Sequence, residues 1–341
     1  MLLFFTPDSN DNNLRILVKT KRLGRTELQV PIVGLGAAFV GIPNANRAAV
    51  EYDGRPGGMD EDLAIQTIHT AIEHGSTLID TAPLYGQTRS EELIGMALKA
   101  RPDLAKLCTV TTKVGQLPGL EGKDYDYYSI LRHVEGSQER LGIERFEILY
   151  IHDAMEVPFE QVMGKRGALG ALRKLQDEGI TRFVGTAAND PAANTPFIET
   201  GEFDAAVVPE AFSLINQLAM ERIFPAAEKH DVGLVIATPV ERGLLATGPV
   251  EGINYMARNF SQTCLDHVAK IQQVCSDHNV PMVAAALQWC TRHPQVATTI
   301  PGARTPEEAE ANAKAGDLEI PESFWEDLEP LAVHFEAGID R

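Results

Sequence analysis

Short runs of consecutive apolar residues alternate along this chain with longer stretches whose apolar residues recur every three or four positions. The runs read as buried strands and the stretches as amphipathic helices. From residue 32 onward the runs are IVGLGAAF, TLIDTA, CTVTTKV, EILYIHD, TRFVGTAA, DAAVVPEAFSL, GLVIATPV and VATTIPG. Between them lie helical stretches such as DEDLAIQTIHTAIEHG, SEELIGMALKA, YYSILRHVEGSQERLG and GALGALRKLQDEG. Ahead of the first run, RILVKTKRLG and RTELQVP predict a hairpin turning near Gly24 and Arg25. After the last, PESFWEDLEPLAVHFEAG predicts one more helix.

Continuous apolar strands joined by helices imply a parallel sheet with both faces covered. About eight of them imply closure into a barrel. The expected class is therefore α/β: a (β/α)8 TIM barrel with an N-terminal β-hairpin and a C-terminal extra helix. It is expected to form one domain over residues 1–341, with residues 1–14 as a flexible N-terminal tail. An open doubly wound sheet would usually carry a glycine-rich phosphate loop after its first strand. Here GLGAAF supplies Gly34 and Gly36 but no third glycine, so the pair reads as close backbone packing.

Composition narrows the function classes. The formal net charge of −18, with no basic stretch, disfavours nucleic acid as a partner. Cys108, Cys264, Cys275 and Cys290 are scattered, which indicates neither a disulfide framework nor a cysteine zinc site. No apolar run approaches membrane-span length, and MLLFF is short for a signal segment. The expected setting is cytoplasmic, with no membrane or nucleic-acid partner and the oligomeric state left open.

The candidate chemistry sits where apolar runs end. Asp80, Lys113 and His152 close three consecutive strands, and Tyr85 lies in the loop after the first of these. Catalytic groups of such barrels come from the C-terminal strand ends. A buried carboxylate needs a cation, which Lys113 can supply. The same ammonium is expected to lower the Tyr85 pKa, making the phenol a proton donor and acceptor. His152 can donate to a carbonyl oxygen. None of the four is an obvious nucleophile, so the set reads as a proton relay serving another group such as a hydride carrier. Taken singly, each has an ordinary structural role: helix cap, loop anchor, snorkelling lysine, satisfied histidine. Their shared face makes the set the stronger signal. No HxH or HxxxH cluster marks a metal site.

With these residues in place the chain resembles the aldo-keto reductase family. LIDTAPLYGQTRSEELIGMAL is similar to that family's signature segment, and TTKVG, YIHD, RFVG, GLL and IPGARTPEEAEAN follow in family order. The likeness runs from about Lys21 to the end. It implies a nicotinamide cofactor, NADP or NAD, bound without a Rossmann motif. By resemblance Tyr85 is the general acid/base, Lys113 and Asp80 tune it, and His152 orients the carbonyl. Asn189, in the segment GTAAND, takes the carboxamide role only if its loop is one residue longer, as in the aldose and galactose dehydrogenase branch. Pro209 stands where Gln is common, and Phe212 where a Tyr often stacks on the nicotinamide. The pyrophosphate is expected near Thr238, Pro239, Gly243 and Leu244. The adenosine end is expected near Gly302, Arg304, Glu308 and Asn312. Arg304 favours a 2′-phosphate. Glu308 favours a free ribose or simply caps the helix that starts at TPEE, so the NAD or NADP preference stays open.

The implied activity is an NAD(P)-dependent oxidoreductase acting on a small polar carbonyl or hemiacetal, with a sugar as the expected substrate. The polar segment GIPNANRAAVEYDGRPGG is placed to rim the site, with Phe39 and Tyr52 as candidate substrate contacts alongside His152. Two other readings compete with it. One is a non-catalytic cofactor-binding redox sensor or regulatory subunit. The other is an aldolase using Lys113 as a Schiff-base amine.

Overall fold

The computed structural model describes residues 18–40, 60–119, 123–253, 255 and 258–335. The expected tail over residues 1–14 and the segment 41–58, with Tyr52, lie outside the described residues. Two antiparallel strands come first, β1 (Thr20–Arg22) and β2 (Gln29–Pro31). Eight parallel strands follow: β3 (Leu35–Gly36), β4 (Leu78–Asp80), β5 (Thr109–Val114), β6 (Phe146–His152), β7 (Thr181–Ala187), β8 (Ala205–Pro209), β9 (Gly233–Ala237) and β10 (Val296–Ile300). They pair in chain order. Bridges from Val33 to Thr299 and from Gly36 to Gly302 then join the first to the last. The (β/α)8 barrel is thereby closed, as the strand count implied.

Closure depends on the two glycines of GLG. A Cβ on Gly34 would stand 2.6 Å from the Leu78 carbonyl oxygen, and one on Gly36 would stand 2.6 Å from that of Ile300. No larger residue fits at the seam without moving backbone. The expected strand over IVGLGAAF is accordingly short, and turns into a 3-10 segment at Ala37–Phe39.

The helices form for local reasons. Asp60, Asp126, Asp190, Ser261 and Thr305 each accept a backbone N–H in the first turn of the helix they precede, satisfying donors that no intrahelical carbonyl can reach. Glu322–Leu328 provides the C-terminal extra helix, with Phe324, Trp325 and Leu328 buried. The hairpin seals the lower end of the barrel. Leu23 and Val30 join the interior cluster with Leu78, Ile148, Tyr150, Val207, Val235 and Ile300. Lys21 donates to the carbonyls of Thr291, His293 and Val296, at 2.9, 3.1 and 2.5 Å. Arg25 reaches Asp204 and the carbonyls of Gly201 and Phe203. Higher in the barrel, Tyr150 lies where a side chain on Gly185 would be, 2.3 Å from that Cβ position. The C-terminal end of the strands lies on the side opposite the hairpin.

Candidate active site

At that end Asp80 closes β4 and Lys113 stands one residue from the end of β5. Register pairs Asp80 with Thr111, two residues before Lys113, so both long side chains reach the same space inside the barrel. Lys113 Nζ donates to Asp80 Oδ1 at 2.5 Å and to the Thr81 carbonyl at 2.9 Å. Thr111 Oγ1 donates to Asp80 Oδ2 at 3.1 Å. Lys113 is 1% exposed and Asp80 3%. Burial alone would depress the lysine. The charges and hydrogen bonds of Asp80 and Tyr85 outweigh it and hold its pKa above the usual value. The amine is therefore a resident cation, which disfavours a Schiff-base role, since that needs the free base.

Tyr85 is held by the loop after β4. Its N–H donates to Ala82, and Gly86, Gln87 and Thr88 all take left-handed backbone, swinging the chain into the next helix. The Lys113 ammonium sits 4.7 Å from the Tyr85 ring centroid. Burial raises the phenol pKa above its ordinary value; Lys113 pulls it down, and Asp80 pushes it up again. The expectation of a lowered pKa is corrected here, because desolvation outweighs the ammonium. His152 closes β6 with its ring perpendicular to Tyr85, centroids 5.8 Å apart. Burial, and then the charges of Lys113 and Lys123, lower its pKa well below the imidazole range, so the ring is neutral. Its backbone is fixed by Tyr125, whose hydroxyl donates to the His152 carbonyl at 2.5 Å. Its Nδ1 is buried without a partner among the described residues. The four residues singled out at strand ends thus converge.

The expected cofactor residues divide. Asn189 follows β7 by two residues, exposed at the mouth. Its backbone N–H and Nδ2 donate to Asp153 at 2.8 and 3.2 Å. Thr238 takes left-handed backbone (φ 60°) just after β9, and Pro239 beside it is buried. Gly243 is left-handed with open space around its Cβ position. The Leu244 side chain is core, so only its backbone is available there. Gly302 lies across from Phe39, 3.7 Å from its Cβ position to the ring. Asn312 donates to the Gly302 carbonyl at 3.1 Å. Glu308 takes hydrogen bonds from the Arg304 backbone N–H at 2.9 Å and from its guanidinium at 3.2 Å. The carboxylate therefore faces the very cation that a 2′-phosphate would seek. Tyr52 is outside the described residues.

Phe212 is corrected. It is buried against Phe224 and Trp289, ring centroids 4.7 Å away in each case, and against His293. Strand β8 ends at Pro209, and Glu210 turns left-handed (φ 54°). The phenylalanine joins Ala206 and Val208 in the outer layer, between sheet and helices, where it is 3% exposed and out of reach of the mouth.

Several residues escaped sequence reasoning. Asp153 sits directly after His152 and was read only as the end of its run. A buried charge cluster spans the ends of β8 and β9. Glu210 accepts from Arg242 at 2.6 Å and also pairs with Arg258, while Arg258 reaches Glu241 at 3.0 Å and Ser213 donates to Glu241 at 2.7 Å. Arg258 lies far along the chain in a segment with no pattern of its own, so no sequence signal points to it.

Comparison with known proteins assigns the chain to a family. Residues 49–332 match the model of the aldo/keto reductase family. The chain is 28% identical over 324 residues to D-threo-aldose 1-dehydrogenase of Pseudomonas sp, covering 88% of this chain and 94% of that protein. It is 26% identical over 344 residues to pyridoxal 4-dehydrogenase of Microbacterium luteolum, covering 90% and 96%. It is also 26% identical to L-galactose dehydrogenase of Arabidopsis thaliana, covering 87% and 88%. Its fold superposes on an aldo-keto reductase from Bacillus halodurans in holo form, with TM-score 0.75, 24% identity and coverage of 94% and 99%. A Klebsiella pneumoniae aldo/keto reductase solved with NADP and acetate gives TM-score 0.66 at 20% identity, covering 93% and 96%. With the Asp80–Lys113–Tyr85–His152 cluster at its mouth and a family match over most of its length, the chain belongs to the aldo/keto reductase family.

Proposed function

We propose that the chain works as one barrel domain and is an NAD(P)-dependent oxidoreductase for small polar molecules that carry an aldehyde masked as a cyclic hemiacetal, most directly sugars. The carrying observation is the buried Lys113–Asp80 pair beneath Tyr85, with a neutral His152 facing it. The residues present fit a nicotinamide dinucleotide. Asn189 offers an exposed side-chain amide at the mouth, and the left-handed, half-buried Gly243 leaves open space around its Cβ position. Asn189 would hold the carboxamide, the Thr238–Leu244 turn the pyrophosphate, and Arg304 with Asn312 the adenosine end. A bound nicotinamide supplies the hydride acceptor or donor.

The chain's own residues move the proton. In the reductive direction the Tyr85 hydroxyl gives its proton to the carbonyl oxygen as charge builds there. Lys113 stabilises the phenolate left behind, and Asp80 keeps Lys113 ionised. His152, being neutral, donates its Nε2–H to the same oxygen and adds no competing acid. In the oxidative direction the phenolate takes the hydroxyl proton of the hemiacetal, and the product is a lactone. Supporting this substrate class are relatives named for an aldose, for galactose and for pyridoxal; each of these aldehydes closes on its own hydroxyl in water. Purified protein assayed at 340 nm with NAD+ and NADP+ against an aldose and pyridoxal panel, and in reverse against simple aldehydes, tests it. Turnover of a hemiacetal substrate is expected. Tight dinucleotide binding with no turnover of any panel member would replace the enzyme with a redox-sensing role.

A further inference from the structure

Asp153 is held in a costly conformation for a residue that merely ends a strand. Its φ is 46°, a region that side chains other than glycine rarely adopt. Its N–H donates to the Ala187 carbonyl at 2.6 Å, and its carbonyl accepts from Gln116 Nε2 at 3.4 Å. The carboxylate is buried, 7% exposed, between two strand ends. One oxygen accepts the Asn189 backbone N–H at 2.8 Å, and the other accepts Asn189 Nδ2 at 3.2 Å while standing 3.8 Å from His152 Nε2. An ionised carboxylate is an acceptor only. The side-chain amide of Asn189 can therefore present only its NH2 to Asp153, which leaves Oδ1 for the mouth.

We propose that Asp153 is a positioning residue that locks the Asn189 amide with its carbonyl toward the ligand, so that position 189 recognises a hydrogen-bond donor: the N–H of a primary carboxamide. This rests on the reading that a nicotinamide dinucleotide occupies the mouth. Without Asp153 the exposed amide would turn over freely and offer donor and acceptor in turn. With it, the end of β6 that bears His152 and the loop after β7 that bears Asn189 keep a fixed relation. Asp153 touches no reacting atom in this scheme. Its effect passes through Asn189.

The test is fluorescence titration of the full chain with NADH, with NADPH and with reduced 3-acetylpyridine adenine dinucleotide, whose acetyl group has no N–H. Three proteins are compared: wild type, Asp153→Asn, and the exchange variant Asp153→Asn with Asn189→Asp. The single substitution should weaken NADH binding roughly tenfold, the size of one lost oriented hydrogen bond, and leave the acetylpyridine analogue within about twofold. The exchange variant again pairs a carboxylate with an amide and again points an acceptor at the mouth, so it should regain most of the NADH affinity. An Asp153→Asn protein that binds NADH like wild type overturns the proposal, as does a folded exchange variant that stays as weak as the single one. If the single variant does not fold, the exchange variant decides alone. Wild-type protein that binds neither natural dinucleotide overturns the functional reading itself and this proposal with it.

Discussion

Lys113 and Asp80 meet across adjacent strands with Nζ 2.5 Å from Oδ1, and water reaches almost none of either side chain. A pair so placed is held by mutual need, because each partner alone would be a desolvated charge. Replacing Lys113 by Met should cost about 3–5 kcal/mol, the usual penalty for stranding one member of a buried pair. Adding Asp80→Leu should recover much of that. Urea denaturation followed by circular dichroism measures both. A Lys113→Met protein as stable as wild type would show that the pair contributes nothing to stability.

Tyr85→Phe removes one hydroxyl and little packing. Turnover in either direction should drop by about 10²–10⁴, the range assigned to positioned acid–base catalysis, while dinucleotide affinity changes little. Stopped-flow binding beside steady-state assay separates the two. Equal losses in both would mean that the phenol holds the cofactor rather than serving the proton.

The raised Tyr85 pKa sets the direction of the pH response. Reduction needs the protonated phenol, which is present at all pH values below its pKa. Oxidation needs the phenolate, which accumulates only as pH climbs toward that pKa. Since burial lifts it above the ordinary tyrosine value, near 10, the oxidative rate should still be rising at pH 10. The reductive rate should be level through the neutral range. A plateau of the oxidative limb below pH 9 would assign the base to another group.

His152 links stability to acid. Its folded pKa lies well below the unfolded one because burial disfavours the imidazolium. The stabilisation is complete above the unfolded value near 6.5. It is lost as pH falls below that value, at up to about 1.4 kcal/mol per pH unit. His152→Gln should flatten the stability profile between about pH 6.5 and 5 by one proton relative to wild type. Parallel profiles for the two proteins would show that the native ring protonates as freely as in the unfolded chain.

Much of this architecture was legible in the chain, for a physical reason. Apolar runs mark strands, and a polar residue that ends such a run stands at the barrel mouth, so Asp80, Lys113 and His152 announced themselves. The doublet Gly34–Gly36 was legible as close packing because a missing phosphate loop leaves little else for it to do. Phe212 was misplaced by resemblance. Alternation carried past Pro209 puts it outside with Ala206 and Val208, and the left-handed Glu210 does not undo that. Asp153 was hidden by its own neighbour, since the letter after His152 shows nothing of the turn that aims it at Asn189. The tie of Arg258 to Glu210 spans 48 positions, and no local pattern reports such a partner. The Arg304–Glu308 pair, four residues apart on one helix start, was visible as two opposing votes on the cofactor but not as a contact.

Among the described residues, the hairpin that stoppers the barrel floor closes the end opposite Asp80, Lys113 and His152. A ligand that reaches those three side chains therefore has to come in past the strand ends and leave by the same way.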